Sequence, residues 1–338
     1  MLLIIKKNIS STLVEKLNSY FNLEHINSRV LRMNDSQYLI DIRRATKEEQ
    51  AIIENVCNNN VEFKNIIEKI SFYHNDKYCL TSRKVISEDT IVNIGGHLLG
   101  KDNFQIIAGP CAVESLDQMR RTAECLKENN VNLMRGCIYK PRTSPYDFQG
   151  IQEAGIEIML KIKEEFDLAI VSEATSAKRI PSLLQFADCI QIGARNCQNF
   201  DLLTDAAQAG KPILFKRGMS TTVEEYLSAT EYLLTNGCFD VVLCERGIKT
   251  FDNETRNCLD LGAVAALPYK THLPIITDPS HATGRPELVL PLAKATKVIG
   301  AHGVMIETHY NRDLAKCDAR QQLTLENFTN LCNELNKI

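Results

Sequence analysis

The sequence predicts an α/β chain, a (β/α)8 barrel preceded by a small α+β sandwich of the ferredoxin-like kind. Three observations carry this. From residue 105 onward, eight short, β-branched apolar runs recur, each followed by a helical stretch. A charged or nucleophilic side chain stands at or just past the C-terminal end of every run. Residues 1–75 have a different rhythm, in the order βαββαβ, which is a split-βαβ pattern.

Within residues 1–75, strands are expected at 2–6, 28–32 and 37–42, the last two flanking the polar turn Asn34-Asp35. Helical periodicity covers 13–21 and 48–56, and the stretch 61–70 ends as a strand. No cluster of catalytic type lies in this part. Residues 76–104 read as a connector carrying a β-hairpin at 90–94 and Gly95-Gly96. Residues 105–338 form the barrel. Its runs are QIIAG at 105, VNLMRG at 131, LAIVSE at 168, CIQIG at 189, PILFKR at 212, VVLCER at 241, PIITDP at 274 and GVMIET at 303. They are too short for helices, and their unbroken hydrophobicity suits parallel strands buried on both faces. A doubly wound sheet is the rival, but no GxGxxG turn supports it.

The residues at the run ends are Cys111, Arg135, Glu173, Arg195, Lys216, Glu245 with Arg246, Asp278 with His281, and Glu307. In a barrel all eight ends open on one mouth, so side chains distant in sequence converge there. Two chemical groups emerge. Arg135, Lys140, Arg142, Arg195, Lys216 and Arg246 are cations, suited to phosphate and carboxylate oxygens. Cys111, His281, Glu307 and Asp318 form a mixed sulfur, nitrogen and oxygen donor set suited to a divalent transition metal. Each has a plainer reading: a solvated loop charge for any one cation, a core thiol for Cys111, a helix cap or Asx turn for Asp278-Pro279-Ser280. His272, His302 and His309 have no comparable context. Cations together with a Lewis acid suggest addition to a polarised carbonyl of a phosphorylated substrate.

Composition excludes other classes. The chain has 338 residues, 44% hydrophobic, with a net charge of −3. Nothing global points to nucleic acid or an anionic membrane. No apolar run approaches a membrane span, and the N-terminal run is too short for a signal peptide. Twelve cysteines without a CxxC pair read as reduced thiols, so the expected location is the cytoplasm.

The segments IIAGPCAVES from 106, KPRTSPYDFQG from 140, QIGARNCQNFDLL from 191, FKRGMSTTVEEYLSATEYLLTNG from 215, LCERGIKTFDNETRNCLDLGAV from 243 and IITDPSHATGR from 275 resemble those of 3-deoxy-D-arabino-heptulosonate 7-phosphate (DAHP) synthases. The likeness runs from Ser82 to the C-terminus and is to the type I subgroup with an N-terminal ferredoxin-like, ACT-like regulatory domain. It implies condensation of phosphoenolpyruvate with erythrose 4-phosphate, the entry step of the shikimate pathway, with one divalent metal ion (Mn, Fe, Co or Zn). By resemblance Arg135 and Lys140 hold the phosphoenolpyruvate carboxylate, and Arg195, Lys216 and Arg246 its phosphate. Arg142 and Thr143 hold the erythrose 4-phosphate phosphate. Cys111, His281, Glu307 and Asp318 match the metal ligands, and Lys140, Cys111 and His281 are the residues at the chemistry. Glu173 and the metal-bound region are both candidates for the proton of the attacking water. An aromatic amino acid is the implied effector, and a homo-oligomer, dimer or tetramer, is expected.

Some positions depart from the family pattern: Gly136-Cys137-Ile138-Tyr139 before Lys140, Cys197 where methionine is common, and His309-Tyr310-Asn311 where a proline-containing turn is common. None removes a ligand of the set. The nearest alternative is 3-deoxy-D-manno-octulosonate 8-phosphate synthase, which takes arabinose 5-phosphate; Pro141-Arg142-Thr143 favours the four-carbon aldose. A catalytically inactive, metabolite-sensing barrel is the alternative of another class, and it predicts erosion of a cation and donor set that is here complete.

Overall fold

The computed structural model describes residues 1–34, 36–42, 45–72 and 77–338. Asp35 of the expected Asn34-Asp35 turn and residue 76, at the expected start of the connector, lie outside the described residues. The chain divides into two compact units, Met1–Leu80 and Thr81–Ile338. The expected connector is therefore divided between them, and from Thr81 it belongs with the second unit.

The first unit comprises β1 (Leu2–Ile5), α1 (Ser11–Leu23), β2 (Ser28–Arg32), β3 (Tyr38–Ile42), α2 (Lys47–Asn59) and β4 (Ile67–Ser71). Its sheet is antiparallel in the order β2-β3-β1-β4, with Leu3 opposite both Ile40 and Ile70. This is the ferredoxin-like arrangement that the βαββαβ order predicts. Both helices start on caps read directly from sequence. The Ser10 hydroxyl accepts from the Leu13 amide, and Thr46 and Glu49 form a reciprocal capping box. Val14, Leu17 and Phe21 recur at helical spacing and meet Leu3, Ile5 and Ile40 of the sheet, with Ile53 of α2, in one core. The expected strand within 61–70 begins late, because residues 61–66 form turns first.

The second unit holds a hairpin, β5 (Val92–Ile94) and β6 (His97–Leu99), then a closed barrel of eight parallel strands. These are β7 (Gln105–Gly109), β8 (Leu133–Arg135), β9 (Ala169–Ala174), β10 (Cys189–Ile192), β11 (Ile213–Lys216), β12 (Val241–Glu245), β13 (Ile275–Thr277) and β14 (Gly303–Glu307). Each falls within one of the eight apolar runs or within one residue of it. Helices between them include α3 (Leu116–Glu128), α4 (Ala154–Phe166), α5 (Ile180–Leu183), α6 (Phe200–Ala207), α7 (Val223–Thr235), α8 (Leu261–Ala266), α9 (Pro279–Thr283) and α10 (Val289–Val298); α11 (Leu325–Leu335) ends the chain. Closure comes from β14 against β7, where Val304 pairs with Ile106 and Glu307 with Gly109.

Side-chain alternation explains where the chemistry sits. One buried cluster gathers Ile107, Leu133, Val171, Cys189, Leu214, Cys244, Ile276 and Met305, which fill the barrel interior. Two residues further along, on the same face of each strand or its extension, stand Gly109, Arg135, Glu173, Gln191, Lys216, Arg246, Asp278 and Glu307. The interior therefore changes from apolar to polar within a single pleat. Gly109 is glycine because Arg135 crosses above it: a Cβ there would lie 2.2 Å from the Arg135 carbonyl oxygen, at φ +146°. The other end is closed by the hairpin, whose Val92, Ile94 and Leu99 join the interior cluster. Gly95 sits against Ala169 at the start of β9, and Gln105 Nε2, from the side chain at the start of β7, donates to the Leu98 carbonyl at 2.8 Å.

Candidate active site

A polar cleft opens over the C-terminal ends of the strands. Lys140, Arg142, Thr143, Arg195, Lys216, Arg246, His281 and Asp318, eight of the expected site residues, line it. Cys111, Arg135 and Glu307 lie beneath, fully buried. Glu173 is also in the cleft, accepting from Gln191 Nε2 at 3.1 Å. Glu245, expected at the mouth from its strand-end position, turns away: alternation puts it on the other face from Cys244, where it accepts from Arg217 Nη1 at 2.8 Å.

The donor atoms of Cys111, His281, Glu307 and Asp318 all lie within 4.8 Å of one another. Ligands bound at about 2.0–2.3 Å around one ion are separated by comparable distances. Four distant segments supply them: the end of β7, α9, the end of β14 and the loop before α11. His281 Nε2 is 3.3 Å from Glu307 Oε1 and 3.9 Å from Asp318 Oδ2, and Cys111 Sγ is 3.2 Å from Asp318 Oδ2. Burial holds the His281 imidazole below its ordinary pKa, so it is neutral near pH 7, the form that ligates metal. Burial works against the Asp318 carboxylate, but His281, Cys111 and Lys140 outweigh it and hold it at about 2. Contact with Cys317, then burial, push the Cys111 thiol up. A thiol, a neutral imidazole and two carboxylates fit a divalent ion of the Mn, Fe, Co or Zn type, with metal binding displacing the thiol proton. Cys137 stands outside this quartet, 3.9 Å from Arg135 Nη2.

The cations sort by depth. Arg135 is 1% exposed, its Nη1 2.7 Å from Glu307 Oε1, so it braces a donor from below the cleft. Lys140 Nζ donates to the Cys111 carbonyl at 3.2 Å. Lys216 Nζ lies 2.6 Å from Asp278 Oδ2. Arg246 is buried, and its Nη1 has no hydrogen-bond partner among the described residues. An unpaired buried guanidinium donor points to an anion. Arg142 reaches outward to Asp147 at 3.3 Å and inward to Cys317 Sγ at 2.9 Å, while Thr143 and Arg195 are exposed on the rim.

Sequence reasoning passed over several neighbours. Cys317 Sγ is 3.1 Å from Cys111 Sγ; its one signal was adjacency to Asp318. Gln321 donates to Glu307 Oε2 and accepts from Arg256, in a loop with no periodic pattern. Asp278 was noted at a run end but given no part in the site. His272, His302 and His309 are engaged elsewhere, with Thr90, the Ile275 amide and the Asn311 amide respectively.

The model of the DAHP synthetase I family matches residues 83–338. The chain belongs to this family. A phospho-2-dehydro-3-deoxyheptonate aldolase of Thermotoga maritima is 44% identical over 261 residues, 77% of each chain. A 2-dehydro-3-deoxyphosphooctonate aldolase of Magnetococcus marinus is 28% identical over 271 residues, 75% of this chain and 91% of its own. The crystal structure of the Thermotoga maritima DAHP synthase matches with a TM-score of 0.76 at 35% identity, over 99% of this chain and 96% of its own. A truncated form of the DAHP synthase from that organism matches with a TM-score of 0.72 at 41% identity, over 77% of this chain and 96% of its own. Membership in the DAHP synthetase I family makes the barrel an enzyme, with the quartet as a group able to hold a metal ion. No helix among the described residues is long and apolar enough to cross a membrane.

Proposed function

We propose that the barrel joins phosphoenolpyruvate, D-erythrose 4-phosphate and water into 3-deoxy-D-arabino-heptulosonate 7-phosphate, releasing phosphate. The observation that carries this is one cleft lined by Lys140, Arg142, Arg195, Lys216 and Arg246 together with His281 and Asp318 of a metal-ligand quartet, in a chain of this family. Lys216 and the unpaired Arg246, with Arg195 on the rim, hold the enol phosphate group. Lys140 holds its carboxylate, and Arg135 acts on the same end from beneath. Arg142 and Thr143 hold the phosphate of the aldose. Two anionic substrates that repel each other in water are thereby kept in attack geometry, and the benefit is mainly positioning.

Cys111, His281, Glu307 and Asp318 would hold one divalent ion, which when bound supplies Lewis-acid polarisation of the aldehyde oxygen. C3 of the enol phosphate then attacks the aldehyde carbon. Positive charge develops at C2, beside the carboxylate gripped by Lys140; water adds there, and phosphate leaves by C–O cleavage. The fixed cations of the phosphate subsite need no reorganisation as that charge departs.

Pro141-Arg142-Thr143 lines the cleft, with Arg142 Nη1 2.9 Å from Cys317 Sγ, and this segment supports the four-carbon aldose over arabinose 5-phosphate. Metal-stripped protein resupplied with Mn, Fe, Co or Zn should release phosphate from phosphoenolpyruvate with erythrose 4-phosphate. Turnover with arabinose 5-phosphate alone would overturn the substrate assignment, and turnover unaffected by chelation would overturn the metal.

For the N-terminal unit we propose an effector role, binding an aromatic amino acid that inhibits the barrel. Among its described residues no group able to hold a metal ion occurs, and its fold is a ferredoxin-like sandwich. Protein beginning at Ser82 should keep its turnover and lose inhibition by tyrosine or phenylalanine; inhibition that survives truncation rejects the role.

A further inference from the structure

Asp278 is absent from both residue sets of the proposed site, yet it touches both. It is fully buried and caps α9, its Oδ1 accepting from the His281 amide at 3.0 Å. With Oδ1 committed to the backbone, Oδ2 serves two side chains. It lies 2.6 Å from Lys216 Nζ and 2.7 Å from His281 Nδ1. A carboxylate only accepts: Lys216 donates to this oxygen, while His281 Nδ1 is held against it without the alignment of a full hydrogen bond, a contact with room to tighten. The contact at Nδ1 turns Nε2 toward Glu307 and Asp318, into the quartet. On its other side Lys216 lines the cleft with Arg246.

We propose that Asp278 is a positioning residue that couples the metal site to the phosphate subsite. This rests on the assignment of His281 to the metal and Lys216 to the phosphate of phosphoenolpyruvate. The direction follows from sharing. A phosphate group in the cleft draws on the Lys216 ammonium and weakens its hold on Oδ2. Oδ2 then accepts more fully from Nδ1–H, which enriches the imidazole and makes Nε2 a better ligand. A metal on Nε2 polarises Nδ1–H toward Oδ2 and frees Lys216 for phosphate. The two ligands therefore favour each other, and linkage requires the factor to be the same in both directions.

The test is a Co2+ titration of the metal-stripped full chain against a competing chromophoric chelator, with and without saturating phosphoenolpyruvate. The hold of phosphoenolpyruvate itself on Co2+ is subtracted from a titration without protein. Wild type should bind Co2+ about 5-fold or more tighter in its presence, the low end of site-to-site coupling. Asp278→Asn keeps an oxygen for the helix cap but sets an NH2 donor against two donors. It should bind Co2+ about 10–100-fold more weakly, as loss of a hydrogen-bond partner of a ligand does, and should respond to phosphoenolpyruvate by less than about 2-fold. Lys216→Met leaves Oδ2 to His281 alone and should bind Co2+ more tightly than wild type without any phosphoenolpyruvate.

An equal phosphoenolpyruvate factor in wild type and Asp278→Asn overturns the coupling. So does a wild-type factor of 1, whether or not the Asn variant folds, or a Lys216→Met variant that binds Co2+ no more tightly. A purely structural Asp278 would lower thermal stability and leave the factor intact. Co2+ binding that persists in His281→Ala would instead remove the quartet assignment, and the coupling with it.

Discussion

Replacing Glu307 by alanine should lower the stability of the metal-free protein by about 3–5 kcal/mol, the cost of leaving a buried charge without its partner. Glu307 is 0% exposed and Arg135 1%. Burial pushes the Glu307 carboxylate up, but His281 and Arg135 outweigh it and keep it ionised. Without it Arg135, whose Nε already has no partner among the described residues, is stranded. Such a loss is a large part of the total stability of an ordinary domain. The double variant Arg135→Met, Glu307→Leu should recover most of it, because apolar side chains of similar volume replace a buried pair at little net cost, and it should remain inactive. Urea unfolding measures both. A loss under about 1 kcal/mol for the alanine variant would mean that the pair is solvated and that Glu307 is not a pre-set donor.

Arg246→Met should do the opposite to stability and more to catalysis. Burial drives the Arg246 guanidinium below its ordinary pKa, with Asp278 supporting the charge and Arg256 and Arg195 adding repulsion. A methionine there removes an unpaired buried donor, so unfolding should be unchanged or shifted toward stability by about 1 kcal/mol. kcat/KM for phosphoenolpyruvate should fall about 100–1000-fold, the usual loss on removing one preorganised charge-stabilising donor. Inorganic phosphate should raise the melting temperature of wild type by mass action and leave the variant unmoved. A variant that loses both stability and activity would show Arg246 to be a structural cation.

The barrel was legible because parallel strands buried on both faces read as unbroken apolar runs, and turns between them do not. The mouth was legible for a related reason: Leu214 and Lys216, or Met305 and Glu307, are two residues apart, and alternation alone puts them on one face. What stayed hidden depended on depth and on loops. Nothing in the spacing of Arg135 distinguishes a cation in the cleft from one braced beneath it. Glu245 and Arg246 are adjacent, and only the pleat decides that one leaves the mouth while the other enters. Cys317 and Gln321 come from an aperiodic loop tied at its ends by the bridge between Thr308 and Leu323, so no pattern announces them. Asp278 had a sufficient explanation as a helix cap, and the cap is real; it uses one oxygen and leaves the other unaccounted for.

The hairpin of β5 and β6 has a consequence for how this catalytic unit can be moved or shortened. Val92, Ile94 and Leu99 are the floor on which the interior side chains rest, although they precede the first barrel strand in the chain. A barrel begun at Phe104 would be a cylinder with both ends open, its lower apolar layer wetted from below and its polar layer standing on nothing rigid. The portable module is therefore the barrel with its own stopper, and a recombination point for transplanting the activity belongs no later than Ser82, well before the hairpin.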